Sequence, residues 1–363
     1  MKRREFLKAT GAGVAASTAV AMPAIAQSAP EIRWRCTSSF PKSLDTIFGA
    51  GELMAKQVAA MTDGKFQIQM FAAGEIVPGL QALDAVQNRT VEMCHTASYY
   101  YVGKDPTFGL GTVVPFGMNA RQTNAWFLFG NGLTLLNEFY KKYNVVMFPG
   151  GNTGGQMGGW FRKEIKSVAD LQGLKMRIAG MGGQVLAKLG VVPQQLAAGD
   201  IYPSLEKGTI DAAEWVGPYD DERLGLYKVA KYYYYPGWWE GCAALNFFVN
   251  DEKLAELPPT YRAALVAAMA QANESMLASY DAKNPIAIQN LVRAGTVLKA
   301  FPADVMDAAY KAANQLFDEV GAANPNFKKI HDDMKTFRNN SYQWWQIVEY
   351  TYDSFMIRAR ARG

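Results

Sequence analysis

The stretch GLKMRIAG, residues 173–180, alternates apolar and charged side chains. Leu174, Met176 and Ile178 share one face, as a half-buried strand requires, and Lys175 and Arg177 share the other. Gly180, Gly182 and Gly183 follow, where backbone or a ligand can approach closely. A strand that carries an arginine into such a turn raises the question of what the guanidinium faces.

The surrounding pattern repeats strand and helix. Upstream, 31–37 reads as a strand, 44–61 as a helix, 66–70 as a strand, 80–87 as a short helix and 91–96 as a strand. A helix is expected over 124–143 and a strand over 145–148. Downstream of Arg177, helices are expected at 184–189 and 202–207, and strands at 209–215 and 243–249. This alternation predicts α/β architecture with largely parallel sheets. The glycine-rich run PGGNTGGQMGGW, 149–160, predicts no regular element; it reads as a crossing loop or as backbone shaped around a ligand. From Pro258 onward the chain is mostly helical, with helices over 260–294, 302–320, 327–338 and 341–360. In the last, Trp345, Val348, Tyr352, Phe355 and Ala359 alternate at spacings of three and four. That is the pattern of a partner-helix seam or of a helix packed on its own domain.

The 363 residues suffice for two domains with proper cores. Lys and Arg number 37 against 33 Asp and Glu, a formal excess of +4, and the first 26 residues supply a net +3 of it. A near-neutral body offers no footprint for nucleic acid. The N-terminus reads as a twin-arginine export signal: RREFLK at 3–8, a weakly hydrophobic Ala/Gly stretch, then Ala24-Ile25-Ala26 as a cleavage site. A soluble periplasmic protein is expected. Cys36, Cys94 and Cys242 show no CxxC spacing and read as buried thiols.

Motifs for several reaction classes are missing. The GxGxxA string at 11–16 lies inside the export signal; there is no Walker A loop, no HExxH and no GxSxG. Of the two histidines, His95 on a strand reads as a satisfied core residue and His331, in KKIHDDMK, as a solvated one. Arg177 remains, with a planar fork suited to a carboxylate, unless it pairs with an internal acid. Glu214, before Trp215, and Glu240, after Trp238 and Trp239, are embedded in apolar residues and need partners. With the Gln156 amide they make an oxygen-rich set of the kind that hard cations take.

At this point GEIVPGLQALDAVQNRTVEMCHT (74–96), SVADLQGLKMRIAG (167–180) and YPSLEKGTIDAAEW (202–215) are seen to resemble the extracytoplasmic solute-binding subunits of TRAP transporters, the DctP-like family. The resemblance spans the mature chain, and its most specific element is the G-x-K-x-R around Arg177. It implies a two-lobed periplasmic binding protein fold with hinge strands, a long lobe-spanning helix and an extended C-terminal helix. We place lobe I at 30–151 and 244–285, lobe II at 152–243 and 286–338, and a dimerisation helix at 339–363, after the signal at 1–26. It implies that Arg177 binds the substrate carboxylate.

The GGNTGGQ loop, the EW and WWE pairs and the C-terminal helix are most similar to the branch that binds 2-oxo or 2-hydroxy acids with a metal. By that resemblance Gln156, Glu214, the Trp215 carbonyl and Glu240 surround a cation, Na⁺ or alternatively Ca²⁺. Tyr100 and Asn152 are weaker candidates for substrate contacts, and Trp215, Trp238 and Trp239 for apolar walls. A swapped C-terminal helix would form a homodimer, and membrane permease subunits would receive the ligand. Two glutamates and a substrate carboxylate would repel one another without a cation, at a few kcal/mol per close pair for an effective dielectric of about 20.

The implied function is capture of a small 2-oxo monocarboxylate, pyruvate or 2-oxobutyrate, without chemistry. Two alternatives remain. One is the same fold binding lactate, a C4-dicarboxylate or a sugar acid, for which Arg162 could supply a second cation. The other is a metal-assisted lyase or hydrolase with Glu214 and Glu240 as acid and base.

Overall fold

The computed structural model describes residues 30–362; the expected export signal lies outside them. Strands β1 (Ile32–Ser38), β2 (Phe66–Phe71), β3 (Met93–Thr96) and β4 (Val145–Asn152) belong to a first sheet. The chain then crosses to a second sheet, which holds β5 (Trp160–Phe161), β6 (Lys175–Arg177), β7 (Val192–Gln194), β8 (Ala212–Ala213) and β9 (Tyr232–Tyr235). It returns to the first as β10 (Ala244–Asn250) and to the second as β11 (Val297–Ala300). The spatial orders are β2-β1-β3-β10-β4 and β11-β9-β5-β8-β6-β7.

Both sheets are mixed, which corrects the expectation of largely parallel pairing. β1 runs parallel to β2 and β3, but β10 is antiparallel to β3 and β4. In the second sheet β5 is antiparallel to β8 and β9, while β6 is parallel to β7 and β8. The antiparallel strands are those joined to the crossings, because a chain that enters one sheet as it leaves the other runs against its neighbours.

The long helix Pro259–Arg293 packs on the helix Ile47–Met61 and β4, and also on the helix Pro218–Leu224 that follows β8. Its 35 residues span about 52 Å at 1.5 Å per residue, enough to touch the layers of both sheets. Among the described residues no helix is long and apolar enough to cross a membrane.

Several sequence expectations change. The glycine-rich run is partly regular: β4 continues through Asn152 and β5 starts at Trp160, leaving only 153–159 as the crossing. Glycine permits this because a Cβ on Gly150 would lie 2.9 Å from the Asn246 and Phe247 backbone of the paired strand. The helix expected over 124–143 is two, Ala120–Phe129 and Gly132–Tyr140. The first starts at an Asn119/Gln122 capping box, and the break lets Gly130 and Gly132 pack against the buried Trp126 ring. The helices expected at 327–338 and 341–360 are one, Pro325–Arg360; Asn339 and Asn340 cost an exposed helix only a few tenths of a kcal/mol each. The strand expected at 209–215 shrinks to β8, and the tyrosine run 232–235 is itself a strand. β5, β7 and β11 have two to four residues, too few for a periodic signal.

The cysteines are free and buried. His95 is buried and shares a 2.8 Å hydrogen bond with the Gly150 carbonyl. His331 is half-buried rather than fully solvated: its ring packs against Phe317, at 4.6 Å, and Phe327, at 5.3 Å.

Candidate functional site

Arg177 ends β6, where Met176 packs inward and Lys175 reaches solvent. Its strand neighbours are Ala213 and Gln194. Both faces of the sheet are covered at this end, so Arg177 is only 1 % exposed. A buried guanidinium must find acceptors. Nε donates to the Leu196 carbonyl at 3.1 Å, and Nη1 donates to the Glu214 carbonyl and, at 3.0 Å, to Glu214 Oε2. The guanidinium carbon lies 5.0 Å from the centre of the Trp215 ring. Nη2 is buried and has no partner.

Glu214 follows β8, and its amide donates to the Arg177 carbonyl at 3.0 Å, which fixes the two residues side by side. Its second oxygen, Oε1, is buried without a partner. Glu240 sits in the tight return from β9 to β10, where its amide donates to the Gly237 carbonyl at 3.0 Å; Oε2 is likewise buried and unpartnered. Gln156 lies in the crossing segment, where Nε2 donates to Thr153 Oγ1 at 2.9 Å and Oε1 is left unpartnered. The Thr153 hydroxyl in turn accepts from the Ala243 amide at 2.9 Å, tying the two crossings together.

The electrostatics match this geometry. Burial, then the charge of Glu240, holds Glu214 well above the carboxylate range, with Arg177 opposing. Burial pushes Glu240 up to about 8, while Arg177 and the nearby Tyr99 and Gln156 side chains draw it down. Burial works against the Arg177 charge, but Glu214, Tyr100, Tyr99 and Glu240 outweigh it and its pKa rises. Burial lifts Tyr100 to about 12 even with Arg177 drawing it down. Burial raises both carboxyls more than the single Arg177 charge lowers them, and a cation beside them would favour their charged forms.

The donor set fits such a cation. Among the described residues no three histidines, cysteines or carboxylates gather as a metal cluster. The candidate set is instead two carboxylates and an amide, each with one bare oxygen, which are ligands for a hard ion rather than for zinc. The Trp215 carbonyl, the fourth predicted ligand, follows Glu214 directly in the chain.

The other predicted residues divide. Tyr100 is buried near Arg177. Asn152 is engaged in its own loop: Oδ1 accepts from the Gly154 amide at 2.9 Å and Nδ2 donates to Cys242 Sγ at 3.5 Å. Trp238 stacks on Phe116 at 5.2 Å and Trp239 packs edge-on against Phe301, so both have core or rim partners. Arg162 is exposed and lines a separate depression with Lys228 and Lys231; it does not supply a second cation beside Arg177. Sequence reasoning missed Tyr99, Thr153, the Leu196 carbonyl and the buried pair Asp220–Asp221. Only the last had a local signal, as acidic residues in the first turn of Pro218–Leu224.

Comparison with known proteins gives a consistent picture. A family model described as bacterial extracellular solute-binding protein, family 7 (DctP), matches residues 37–324. A monocarboxylate 2-oxoacid-binding periplasmic protein of Nostoc sp. PCC 7120 is 49% identical, over 98% of this chain and 99% of its own. A TRAP transporter solute-binding protein of Bordetella bronchiseptica RB50 superposes with a TM-score of 0.91 at 53% identity, covering 92% of this chain and 99% of that one. It is a mixed-occupancy dimer with copurified calcium and picolinate in one site. A TRAP periplasmic solute-binding protein of Pseudoalteromonas atlantica T6c, with bound sodium and pyruvate, gives 0.87 at 39% identity, covering 89% and 99%.

Proposed function

The chain belongs to the DctP family of bacterial extracellular solute-binding proteins, the periplasmic receptors of TRAP transporters, and from that premise we propose that it captures a small 2-oxo monocarboxylate such as pyruvate together with Na⁺ or Ca²⁺ and delivers it to membrane permease subunits. Such receptors bind and release; they do not catalyse. The observation that carries the reading is a set of bare buried atoms, Arg177 Nη2 and one oxygen each on Gln156, Glu214 and Glu240, on side chains near enough for Glu214 and Glu240 to act on Arg177 and for Gln156 to reach Glu240. A carboxylate oxygen of the ligand answers the nitrogen. A cation answers the oxygens and also takes the carboxylate and 2-oxo oxygens of the ligand, so an acid is held at two points. The contact between Arg177 and Glu214 is no obstacle, because it engages Nη1 and leaves Nη2 bare. The ligands named for the Nostoc and Pseudoalteromonas relatives support the 2-oxo acid and the cation.

The lobes are assigned as 30–151 with 244–285 and 152–243 with 286–338, because each range holds the strands of one sheet. Closure of one lobe on the other would exclude water from the ligand. Export by the twin-arginine route rests on residues 3–26 alone. Dimerisation through the C-terminal helix is supported by its distal half. Trp345 and Glu349 meet Arg121 of the same chain, but Tyr350, Tyr352, Phe355, Met356 and Ile357 are all exposed.

A thermal-shift panel tests the function. Pyruvate, 2-oxobutyrate, lactate, succinate and sialic acid are each added with and without Na⁺ or Ca²⁺. The 2-oxo acids with a cation should give the largest shifts; an equal or larger shift from succinate or sialic acid overturns the assignment.

A further inference from the structure

Asp220 and Asp221 open the helix Pro218–Leu224, and both are buried. Each gathers the polar tips of two aromatic side chains. Asp221 Oδ2 accepts from Trp160 Nε1 at 2.9 Å and from the Tyr233 hydroxyl at 2.7 Å, and those two rings stack on each other at 4.0 Å. Asp220 Oδ2 accepts from Trp215 Nε1 at 3.2 Å and from the Tyr280 hydroxyl at 2.8 Å. Tyr280 belongs to the long helix and Trp215 to the ligand site. The Trp215 ring, held edge-on to Phe40 on its other flank, is the surface over which Arg177 lies.

We propose that Asp220 is a positioning residue for the ligand site: by holding the Trp215 indole N–H and the Tyr280 hydroxyl on one oxygen, it fixes the ring plane under Arg177 and so aims the bare Nη2. The proposal rests on the reading of Arg177 as the carboxylate-binding residue.

The contacts of Nε and Nη1 hold the guanidinium on Leu196 and Glu214, and the Trp215 ring, 5.0 Å from the guanidinium carbon, packs against it, so a tilt of that ring shifts where Nη2 lies. The ring in turn can pivot about its own side-chain bonds unless its N–H is tethered. Finally, a buried carboxylate is an expensive tether, since an apolar residue of similar volume often serves stability as well or better. A fold needing only packing here could close with apolar groups at all three positions; an acid that satisfies two buried donors on one oxygen also sets one orientation of Trp215. Asp221 supplies the internal comparison: it has the same aromatic donors, but they rest on one another and not on Arg177.

The test uses Asp220→Leu, Asp220→Asn, Trp215→Phe and the Trp215→Phe/Asp220→Leu double variant. Pyruvate in sodium chloride is the titrant, and 19F spectra are taken of each protein labelled with 5-fluorotryptophan. Asp220→Leu should raise the pyruvate Kd about tenfold or more and Asp220→Asn less than about threefold, because the amide oxygen still accepts both donors. In the Trp215→Phe background the leucine should change Kd less than about twofold. The Trp215 resonance, identified by its loss in Trp215→Phe, should move in Asp220→Leu and stay in place in Asp220→Asn, with no ligand present. A full loss of affinity that persists without Trp215, or an unmoved resonance in Asp220→Leu, overturns the proposal. If the wild type fails to bind pyruvate with sodium, it is the functional reading that falls, and the resonance alone then decides the role of Asp220. If Asp220→Leu does not fold, Tyr280→Phe is read instead: its Trp215 resonance should shift in ligand-free protein, and an unmoved resonance overturns the proposal.

Discussion

Glu214 Oε2 lies 3.0 Å from Arg177 Nη1 with both side chains buried, and each partner of this ion pair keeps one bare polar atom. In the proposed site the pair would offer two half-satisfied groups held in register, one for an anion and one for a cation.

Removing the arginine should abolish capture. Arg177→Ala takes away a buried cationic nitrogen that has no partner and leaves Glu214 buried without its own. Truncating one partner of a buried charge pair between protein and ligand costs about 3 kcal/mol or more, so pyruvate binding measured by calorimetry should weaken by at least about a hundredfold. Arg177→Lys should be nearly as defective, since one ammonium cannot reproduce the fork that serves Leu196, Glu214 and the ligand. Binding equal to wild type would remove Arg177 from the site.

Withdrawing the cation should withdraw the ligand. In buffer freed of Na⁺ and Ca²⁺ the pyruvate-induced rise in melting temperature should vanish, and it should return on adding back either ion. Glu240→Gln takes one carboxylate from the proposed cage and should raise the cation concentration needed for half-maximal binding. Cation-independent binding in the wild type would contradict the cage.

A cross-layer clasp sits at the rim. Asp45, between β1 and the helix Ile47–Met61, takes the Tyr219 hydroxyl at 3.0 Å, Arg223 Nε at 3.6 Å and Lys283 Nζ at 3.8 Å. Tyr219 and Arg223 come from the helix that follows β8. Exposed ion pairs contribute about 0–1 kcal/mol each, so Asp45→Asn should speed ligand release two- to fivefold in stopped-flow fluorescence. The difference from wild type should shrink at high salt.

His331 gives the fold a pH dependence of known sign. Partial burial against two phenylalanines, with Lys335 and Arg338 reinforcing it and Asp332 and Asp318 opposing, holds its pKa down at about 4. The folded state therefore binds that proton less tightly than the unfolded chain. The resulting stability is fully present above about 6.5 and is lost as the pH falls toward 4. His331→Phe should flatten the melting temperature between pH 6.5 and 4 relative to wild type; identical profiles would remove His331 as the cause.

Deleting residues 341–363 should convert a dimer to a monomer in sedimentation if the exposed distal half of the C-terminal helix is a partner seam. Unchanged mass would assign that face to something else.

The alternating pattern around Met176 and Arg177, and the strand–helix repeat around it, made the α/β class legible, because both depend on local periodicity. The long helices were legible for the same reason, although the break between Phe129 and Gly132 was not, since it answers to the bulk of Trp126 packed on two glycines. Arg177, Glu214, Glu240 and Gln156 could be picked out as charges and amides in apolar or glycine-rich surroundings that cannot leave them unpaired.

The sequence could not show the pairing of strands that meet only through crossings, such as β5 between β8 and β9, because two residues carry no period. Nor could it show that Asp220 would face Trp215 and Tyr280. Acidic residues at a helix start are ordinarily solvated; here Tyr280 of the long helix meets Asp220, and Trp160 and Tyr233 of the second sheet meet Asp221. Local chemistry determined which side chains needed partners; tertiary packing decided which partners they received, and which atoms were left bare, because burial and distance are properties of the whole fold.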